Sequence, residues 1–309
     1  MLQADSVTLE FGGAQPKPGP AAATASAAVG QGGRGPRRAL RQAQGDPSAS
    51  KVGSRAGVPL SPALAGLHGV SLEIRSGALF GILGPNGSGK TTLLRVLAGI
   101  ATPSAGRVLL DGTDLRRLPR RDVARRIAVV PQETHLAFDY SVLEIALMGR
   151  YPHLSAFGLE DAHDVRIARD ALSATGTVHL ERRSFSTLSG GEKQRVVIAS
   201  ALAQEAPIML LDEPTASLDL GYQIEIATLL GHLNAERGVT MVIATHDLNF
   251  AAAVCADMTL LREGRVMASG PTESVLTRER IAVLYGVDAE VGRHPTTGRL
   301  VVVPLGRAS

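Results

Sequence analysis

The segment GPNGSGKT, Gly84 to Thr91, combines three glycines with a lysine and two hydroxyl residues. It matches the pattern G-x-x-x-x-G-K-[ST], follows the apolar stretch ALFGIL and precedes a stretch of helical character, which is the setting expected of a P-loop. There the glycines let the backbone wrap phosphates, Lys90 neutralises β- and γ-phosphate oxygens, and Thr91 ligates Mg²⁺. The residues predicted to bind a nucleotide in this segment are Gly84, Pro85, Asn86, Gly87, Ser88, Gly89, Lys90, Thr91 and Thr92.

Three other apolar stretches end in polar residues. IMLLDE ends in Asp212 and Glu213, while IAVVPQ ends in Gln132 and MVIATH in His246. Because ligands of parallel α/β sheets lie beyond the carboxyl ends of the strands, we expect these side chains to surround one nucleotide. Thr91, Asp212 and Gln132 are predicted Mg²⁺ ligands, and Glu213, Gln132 and His246 are predicted catalytic residues that act on the attacking water and the γ-phosphate. Taken singly, each is also explained as a solvated residue at a strand end.

A second anion site is indicated by STLSGGEKQR, in which Ser189 and Glu192 have the spacing of a capping box. Gly190 and Gly191 lie between them, although glycine costs a helix roughly 1 kcal/mol relative to alanine. Bare amides at a helix N-terminus suit phosphate, but no lysine lies within this turn to neutralise a triphosphate. These four residues are therefore predicted to cap a γ-phosphate that a second copy of the chain holds, in a two-fold dimer with two buried ATP molecules.

The composition is that of a soluble globular protein. Of 309 residues, 44% are hydrophobic and 20% charged, and the net charge is +3. Seven Lys/Arg and one acid fall between residues 12 and 60, so the rest of the chain has 25 basic and 28 acidic residues and gives no case for nucleic-acid binding. Cys255 is the only cysteine, so no intrachain disulfide is possible. Without a recognisable signal peptide or an apolar run of about 18 residues, we expect a cytoplasmic chain.

The chain alternates between strand-like and helix-like segments, which predicts a parallel sheet covered by helices. We expect this core to comprise residues 1–11, 61–132 and 186–271, and to include a strand from Leu2 to Phe11 and a single strand MTLLREGRVMASG. Residues 12–60 are rich in Ala, Gly, Pro and Arg and are predicted to be a disordered insertion. Residues 133–185 are predicted to form a helical subdomain, and residues 272–309 a helix followed by a hairpin.

The order of these motifs resembles that of the ATP-binding cassette (ABC) ATPases. The P-loop, Gln132, LSGGE, LLDEP, SLD and THD occur in sequence and cover nearly everything outside residues 12–60. The resemblance implies an α/β P-loop NTPase fold with an inserted helical subdomain and an antiparallel β portion, and it implies ATP and Mg²⁺ as ligands. It also assigns Asp219 to the loop that couples two sites across a dimer, and an adenine-stacking role to Phe11, whose alternative role is that of a core phenylalanine.

One segment resembles a subgroup of these ATPases. LMGRYPHLSAFG, Leu147 to Gly158, is similar to a segment in importers of iron–siderophore, haem and cobalamin-type chelates, although a plain turn also explains it. The resemblance implies a second copy of the chain and membrane permease subunits as partners, a substrate-binding protein as an indirect partner, and a peripheral position on the inner face of the cell membrane. The alternatives are an ABC ATPase for another substrate, a soluble ABC ATPase acting on nucleic acid or ribosomes, and a stand-alone P-loop kinase or GTPase.

Overall fold

The computed structural model describes residues 1–10, 66–134, 138–155 and 158–308. Phe11 and the predicted insertion at residues 12–60 lie outside the described residues. The strands are β1 (Leu2–Leu9), β2 (Leu67–Ile74), β3 (Leu79–Leu83), β4 (Ala105–Leu110), β5 (Thr113–Asp114), β6 (Ile127–Val130), β7 (Ile208–Asp212), β8 (Thr240–Thr245), β9 (Asp257–Arg262), β10 (Arg265–Pro271), β11 (Val287–Arg293) and β12 (Leu300–Arg307).

The helices lie between these strands. They are α1 (Lys90–Leu97), α2 (Arg120–Ala124), α3 (Val142–Met148), α4 (Ala162–Ala174), α5 (Gly190–Ala203), α6 (Leu220–Arg237), α7 (Leu248–Val254), α8 (Thr272–Val275) and α9 (Arg278–Tyr285). Short 3-10 helices occur at Leu115–Arg117, Val178–Leu180 and Phe185–Thr187. None of the helices in the described ranges is long and apolar enough to span a bilayer.

The largest sheet in the described residues has six strands, in the order β10-β9-β3-β8-β7-β6. From β9 to β6 the neighbouring strands are parallel, and every residue of β7 and β8 is buried. Helices cover such strands on both faces, which explains their continuous apolar sequences. The carboxyl ends of β3, β7 and β8 therefore lie side by side at one edge of the sheet.

A separate antiparallel sheet has the order β2-β1-β4-β5 and supplies the antiparallel portion of the fold. In β2, exposed residues separate the buried residues Leu67, Val70, Leu72 and Ile74, as expected of a strand with one face packed and the other solvated. The turn between β4 and β5 is Asp111–Gly112, and both residues have positive φ values, 50° and 79°. Asp-Gly favours such a two-residue hairpin turn because both positions require the left-handed region.

The predicted single strand MTLLREGRVMASG is wrong, because this segment is an antiparallel hairpin of β9 and β10. The chain reverses at Glu263 and Gly264, with φ values of 49° and 71°. These angles match a two-residue hairpin turn with positive φ at both positions. Glutamate rarely occupies the first of these positions, so Gly264 is the only residue here whose type indicates a turn.

Helices α3 and α4 pack against α5 on one side of the six-stranded sheet. Within residues 138–155 and 158–187 the structure contains α3, α4, two 3-10 helices and an isolated bridge between Ser141 and Ser184, but no strand. Ser141 and Glu144 form a capping box at the start of α3. The buried core here includes Leu172 and Val196, which are fully enclosed.

The C-terminal elements form a third buried cluster against α7 and β9. Helix α9 spans most of the predicted helix LTRERIAVLYG, and its end at Gly286 has the left-handed conformation, φ 67°, that favours glycine after a helix. Strands β11 and β12 pair antiparallel, which confirms the predicted hairpin. Its turn is closed by the His294 amide, which donates to the Arg299 carbonyl oxygen at 2.8 Å.

Candidate functional site

The loop between β3 and α1 is built around glycine. A Cβ on Gly84 would lie 2.2 Å from the carbonyl oxygen of Leu261, so only glycine fits at this position. Gly87 and Gly89 have φ values of 80° and 103°, which other residues rarely adopt. The last of these, Gly89, is the N-cap of α1. The loop thus ends at a helix N-terminus, where backbone N–H groups attract anions.

Lys90 lies at the centre of this loop and is buried. Its Nζ donates to the carbonyl oxygens of Gly84 at 2.9 Å and Pro85 at 3.2 Å, and lies 3.3 Å from Oε1 of Glu213. The nearby hydroxyl of Ser88 is buried and has no hydrogen-bond partner in the described part of the chain. Buried polar atoms are rarely left unpaired, so an orphaned hydroxyl in a loop of this kind fits a site that receives phosphate oxygens.

Asp212 is the last residue of β7 and is buried beside the loop. Burial raises the pKa of its carboxyl group, and a hydrogen bond with the Thr91 side chain partly opposes this effect. The oxygen Oδ1 has no hydrogen-bond partner among the described residues. A carboxylate with a free buried oxygen, next to a threonine hydroxyl, fits a Mg²⁺ ion, which takes one or two protein ligands together with phosphate oxygens.

The described residues contain no group of three or more His, Cys, Asp and Glu side chains arranged to hold a metal ion. A Mg²⁺ ion here would therefore need phosphate oxygens as additional ligands. Gln132 follows β6, which is paired with β7, and its side chain is exposed. No hydrogen bond within the described ranges joins Gln132 to Thr91 or Asp212. The structure therefore brings Thr91 and Asp212 together but leaves Gln132 at the rim.

Glu213 follows β7 in a strained conformation, with φ 49°. Such angles are uncommon outside glycine and concentrate at functional sites. Its amide donates to the carbonyl oxygen of Ala244 at 2.8 Å. Its carboxylate is buried between the side chains of Lys90 and His246. Oε1 faces Lys90, and Oε2 lies 2.8 Å from Nδ1 of His246, whose side chain is half exposed. Since a carboxylate only accepts, Nδ1 carries the hydrogen.

The turn at the start of α5 has the predicted capping box. The Ser189 amide donates to the Glu192 carboxylate at 2.8 Å, and the Glu192 amide donates to Ser189 Oγ at 3.3 Å. Hydrogen bonds from Ser189, the backbone one first, lower the pKa of Glu192. Gly190 and Gly191 form the first turn of the helix, and Gly190 is exposed.

Gly191 has a packing requirement that the sequence did not indicate. A Cβ at this position would lie 2.2 Å from Cδ1 of Tyr222, in the first turn of α6. Asp219 is the N-cap of that helix, and its Oδ1 accepts the Tyr222 amide at 3.1 Å. Tyr222 was therefore missed as a site residue. The only signal in the sequence is its place three residues after Asp219, which is the usual N-cap spacing.

Comparison with known proteins supports the resemblance of the motifs. A model of the ABC transporter family matches residues 67–216. The cobalamin import ATP-binding protein of Halobacterium salinarum is 42% identical over 77% of this chain, which spans 60% of that protein. The ferric enterobactin transport ATP-binding protein of Escherichia coli is 42% identical over 78% of this chain and 89% of its own length. The hemin import ATP-binding protein of Gloeobacter violaceus is 45% identical, with coverages of 79% and 90%.

Solved structures give the same result for the fold. An inward-facing metal-chelate type ABC transporter has a chain that is 33% identical to this one, with a TM-score of 0.69 and coverages of 77% of this chain and 91% of that chain. A dimeric bacterial ABC transporter cassette, MJ0796, is 25% identical, with a TM-score of 0.63 and coverages of 88% and 99%. The α/β P-loop fold is therefore confirmed.

Proposed function

The chain belongs to the ABC transporter family, and on that premise we propose that it binds and hydrolyses ATP to energise a membrane importer. The observation that carries this proposal is the placement of Glu213. Its buried carboxylate lies between the P-loop lysine and His246, one residue after Asp212 with its unpaired oxygen. A base, a phosphate-binding cation and a potential metal ligand are thus assembled at one sheet edge, as phosphoryl transfer to water requires.

In the proposed reaction the P-loop amides and the Lys90 ammonium hold the β- and γ-phosphates. Thr91, Asp212 and, as a third ligand, Gln132 would hold Mg²⁺, which when bound neutralises charge on the phosphate oxygens. Glu213 accepts a proton from the attacking water or orients it. His246 is the proposed donor to a γ-phosphate oxygen, which requires its Nδ1 hydrogen to be released from Glu213 when a triphosphate binds. Triphosphate binding requires Lys90 to leave the Gly84 and Pro85 carbonyl oxygens for phosphate.

A second copy of the chain completes each site in this proposal. The Ser189 hydroxyl and the amides of Gly190 and Gly191 have no lysine in their turn, so they suit the outer side of a γ-phosphate already held by a P-loop. Glu192 and Asp219 support this surface as cap residues of α5 and α6. The dimeric cassette among the structural relatives supports a dimer of this kind.

The inferred cargo is an iron–siderophore, haem or cobalamin-type chelate, because the named relatives handle cobalamin, ferric enterobactin and hemin. The inferred partners are permease subunits at the inner face of the membrane, with a substrate-binding protein acting through them. Phe11 is the proposed adenine-stacking residue.

The test combines kinetics with capture of the membrane partner. We expect hydrolysis of MgATP by the purified chain to rise more steeply than the first power of its concentration, and to disappear in Lys90→Ala. We also expect tagged protein to co-purify with a polytopic membrane protein. Hydrolysis strictly proportional to chain concentration would contradict the shared site, and hydrolysis stimulated by nucleic acid would favour the soluble class of ABC ATPase.

A further inference from the structure

The helix that follows His246 is bound to the C-terminal hairpin through one side-chain amide. Asn249, in the first turn of α7, donates from Nδ2 to the Val302 carbonyl oxygen at 3.1 Å, and its Oδ1 accepts the Val302 amide at 2.9 Å. An asparagine amide has one donating end and one accepting end, so the two bonds together fix both its position and its orientation. Strand β12 thus holds α7 much as a neighbouring strand would.

A second contact reaches His246 itself. The hydroxyl of Tyr285, the last residue of α9, donates to the main-chain oxygen of His246 at 3.3 Å. Burial raises the pKa of Tyr285, and the negative charges of Glu213 and Asp247 raise it further. The phenol therefore keeps its proton over the range in which proteins work and remains a hydrogen-bond donor.

An apolar layer joins the same elements. Ala251 of α7 is fully buried in one cluster with Leu276, Ile281 and Leu284 of the C-terminal elements. Asp247 accepts the amides of Asn249 and Phe250 at 2.9 Å and caps α7, so the helix begins two residues after His246. The orientation of α7 against the C-terminal elements consequently sets the direction in which the chain presents the imidazole.

Resting on the proposed ATPase function, we propose that Asn249 and Tyr285 are positioning residues for His246. The His246 side chain is half exposed, and its hydrogen bond within the described chain is the one to Glu213 at 2.8 Å. A shift of about 1 Å in its backbone would break that contact, and misplacements of this size lower enzymatic rates by up to about 100-fold. The C-terminal helix and hairpin thereby position His246, although neither element contributes a residue to the proposed catalytic site.

The experiment compares Asn249→Ala with the matched control Asn234→Ala in the full-length chain. Asn234 lies near the C-terminal end of α6. Its side-chain amide also bonds to the backbone, because it donates to the carbonyl oxygens of Gly77 and Val239. Both variants lose contacts of the same kind, so similar decreases in Tm are expected. The kcat for MgATP is expected to fall about tenfold in Asn249→Ala with KM changed less than about twofold, whereas kcat in Asn234→Ala stays near that of the wild type.

Tyr285→Phe removes only the hydroxyl and serves if Asn249→Ala does not fold; we expect kcat to fall about threefold at unchanged KM. Equal kcat values in Asn249→Ala and Asn234→Ala would overturn the inference, as would a wild-type kcat in Tyr285→Phe. A wild-type chain that hydrolyses no ATP at any concentration would instead overturn the proposed function on which the inference rests.

Discussion

Replacing Glu213 with glutamine tests the proposed catalytic site most directly. The substitution keeps the shape of the side chain but removes the charge that faces Lys90 at 3.3 Å and His246 at 2.8 Å. General-base catalysis contributes about 10²- to 10⁴-fold, so kcat should fall by a factor in that range. Binding of ATP should survive, because the P-loop is unchanged.

The ion pair also predicts an increase in ATP affinity. Lys90 and Glu213 are both buried. In the variant Lys90 loses its counter-charge and keeps hydrogen bonds only to the carbonyl oxygens of Gly84 and Pro85. A hydrogen bond to a charged group contributes about 2 kcal/mol, so the nucleotide-free variant should lose about that much stability. A triphosphate returns a counter-charge to Lys90, which recovers this energy on binding. At 1.4 kcal/mol per factor of ten, the Kd for ATP should fall by about 30-fold.

Three measurements check these expectations. Phosphate release gives kcat, and the rise in Tm on titration with ATP gives Kd. Size-exclusion chromatography with MgATP gives the oligomeric state. The ATP-bound variant should accumulate as a dimer, because it binds ATP but does not consume it. Glu205→Gln is the matched control, since Glu205 pairs with the buried Arg150 at 2.7 Å away from the P-loop. That variant should lose some stability but should hydrolyse and bind ATP like the wild type.

Two results would refute the reasoning. Turnover by Glu213→Gln within about threefold of the wild type would remove Glu213 from the chemistry. ATP affinity that is unchanged or weaker would show that the Lys90–Glu213 pair does not compete with phosphate, even if turnover is lost.

The remaining predictions concern the signature turn, a buried ion pair and the insertion. Ser189→Ala should lower stability by about 1 kcal/mol through loss of the α5 cap and should abolish ATP-dependent dimerisation, so a dimer on size-exclusion would contradict its role. Arg150 lowers the pKa of Asp164, chiefly through a 2.9 Å hydrogen bond, so the stabilisation is present at neutral pH and lost as pH falls through the lowered pKa. Asp164→Asn should accordingly be about 3 kcal/mol less stable than the wild type in urea at pH 7, with the difference shrinking below about pH 4. Deleting residues 15–54, whose composition lacks folding determinants, should leave ATP hydrolysis largely intact, and a collapse of activity would show that the segment contributes to the site.

Motifs at strand ends could be located from the sequence because the sheet is parallel. The apolar runs before Gly84, Asp212 and His246 each predict a buried strand, and parallel neighbours bring their carboxyl ends to one edge. The β9–β10 turn could not be predicted in the same way. Glu263 adopts a positive φ that its residue type does not favour, so tertiary packing decides the turn there.

Contacts between distant segments set the limit of prediction for the site. Lys90 and Glu213 were both expected near the nucleotide, but the ion pair between them depends on side-chain packing that spacing does not encode. Asn249 and Val302 are 53 residues apart, and the bond uses the backbone of Val302, which any residue type would supply. A pattern of residue types therefore contains no trace of it.

Gly191 connects the two halves of the proposed mechanism. The sequence indicates that glycine lets a phosphate approach the backbone here. The structure adds that Tyr222 occupies the space beside Gly191, since a Cβ on Gly191 would lie 2.2 Å from Cδ1 of Tyr222. Tyr222 belongs to α6, which Asp219 caps a few residues after Glu213. Protein interiors are close-packed and compress very little. A shift at the start of α6 must therefore move the first turn of α5 or force Tyr222 into another rotamer. In the proposed dimer, this packing would join the loop after Glu213 to the cap that the same chain offers to its partner, which would give a physical reason for the two sites to act together.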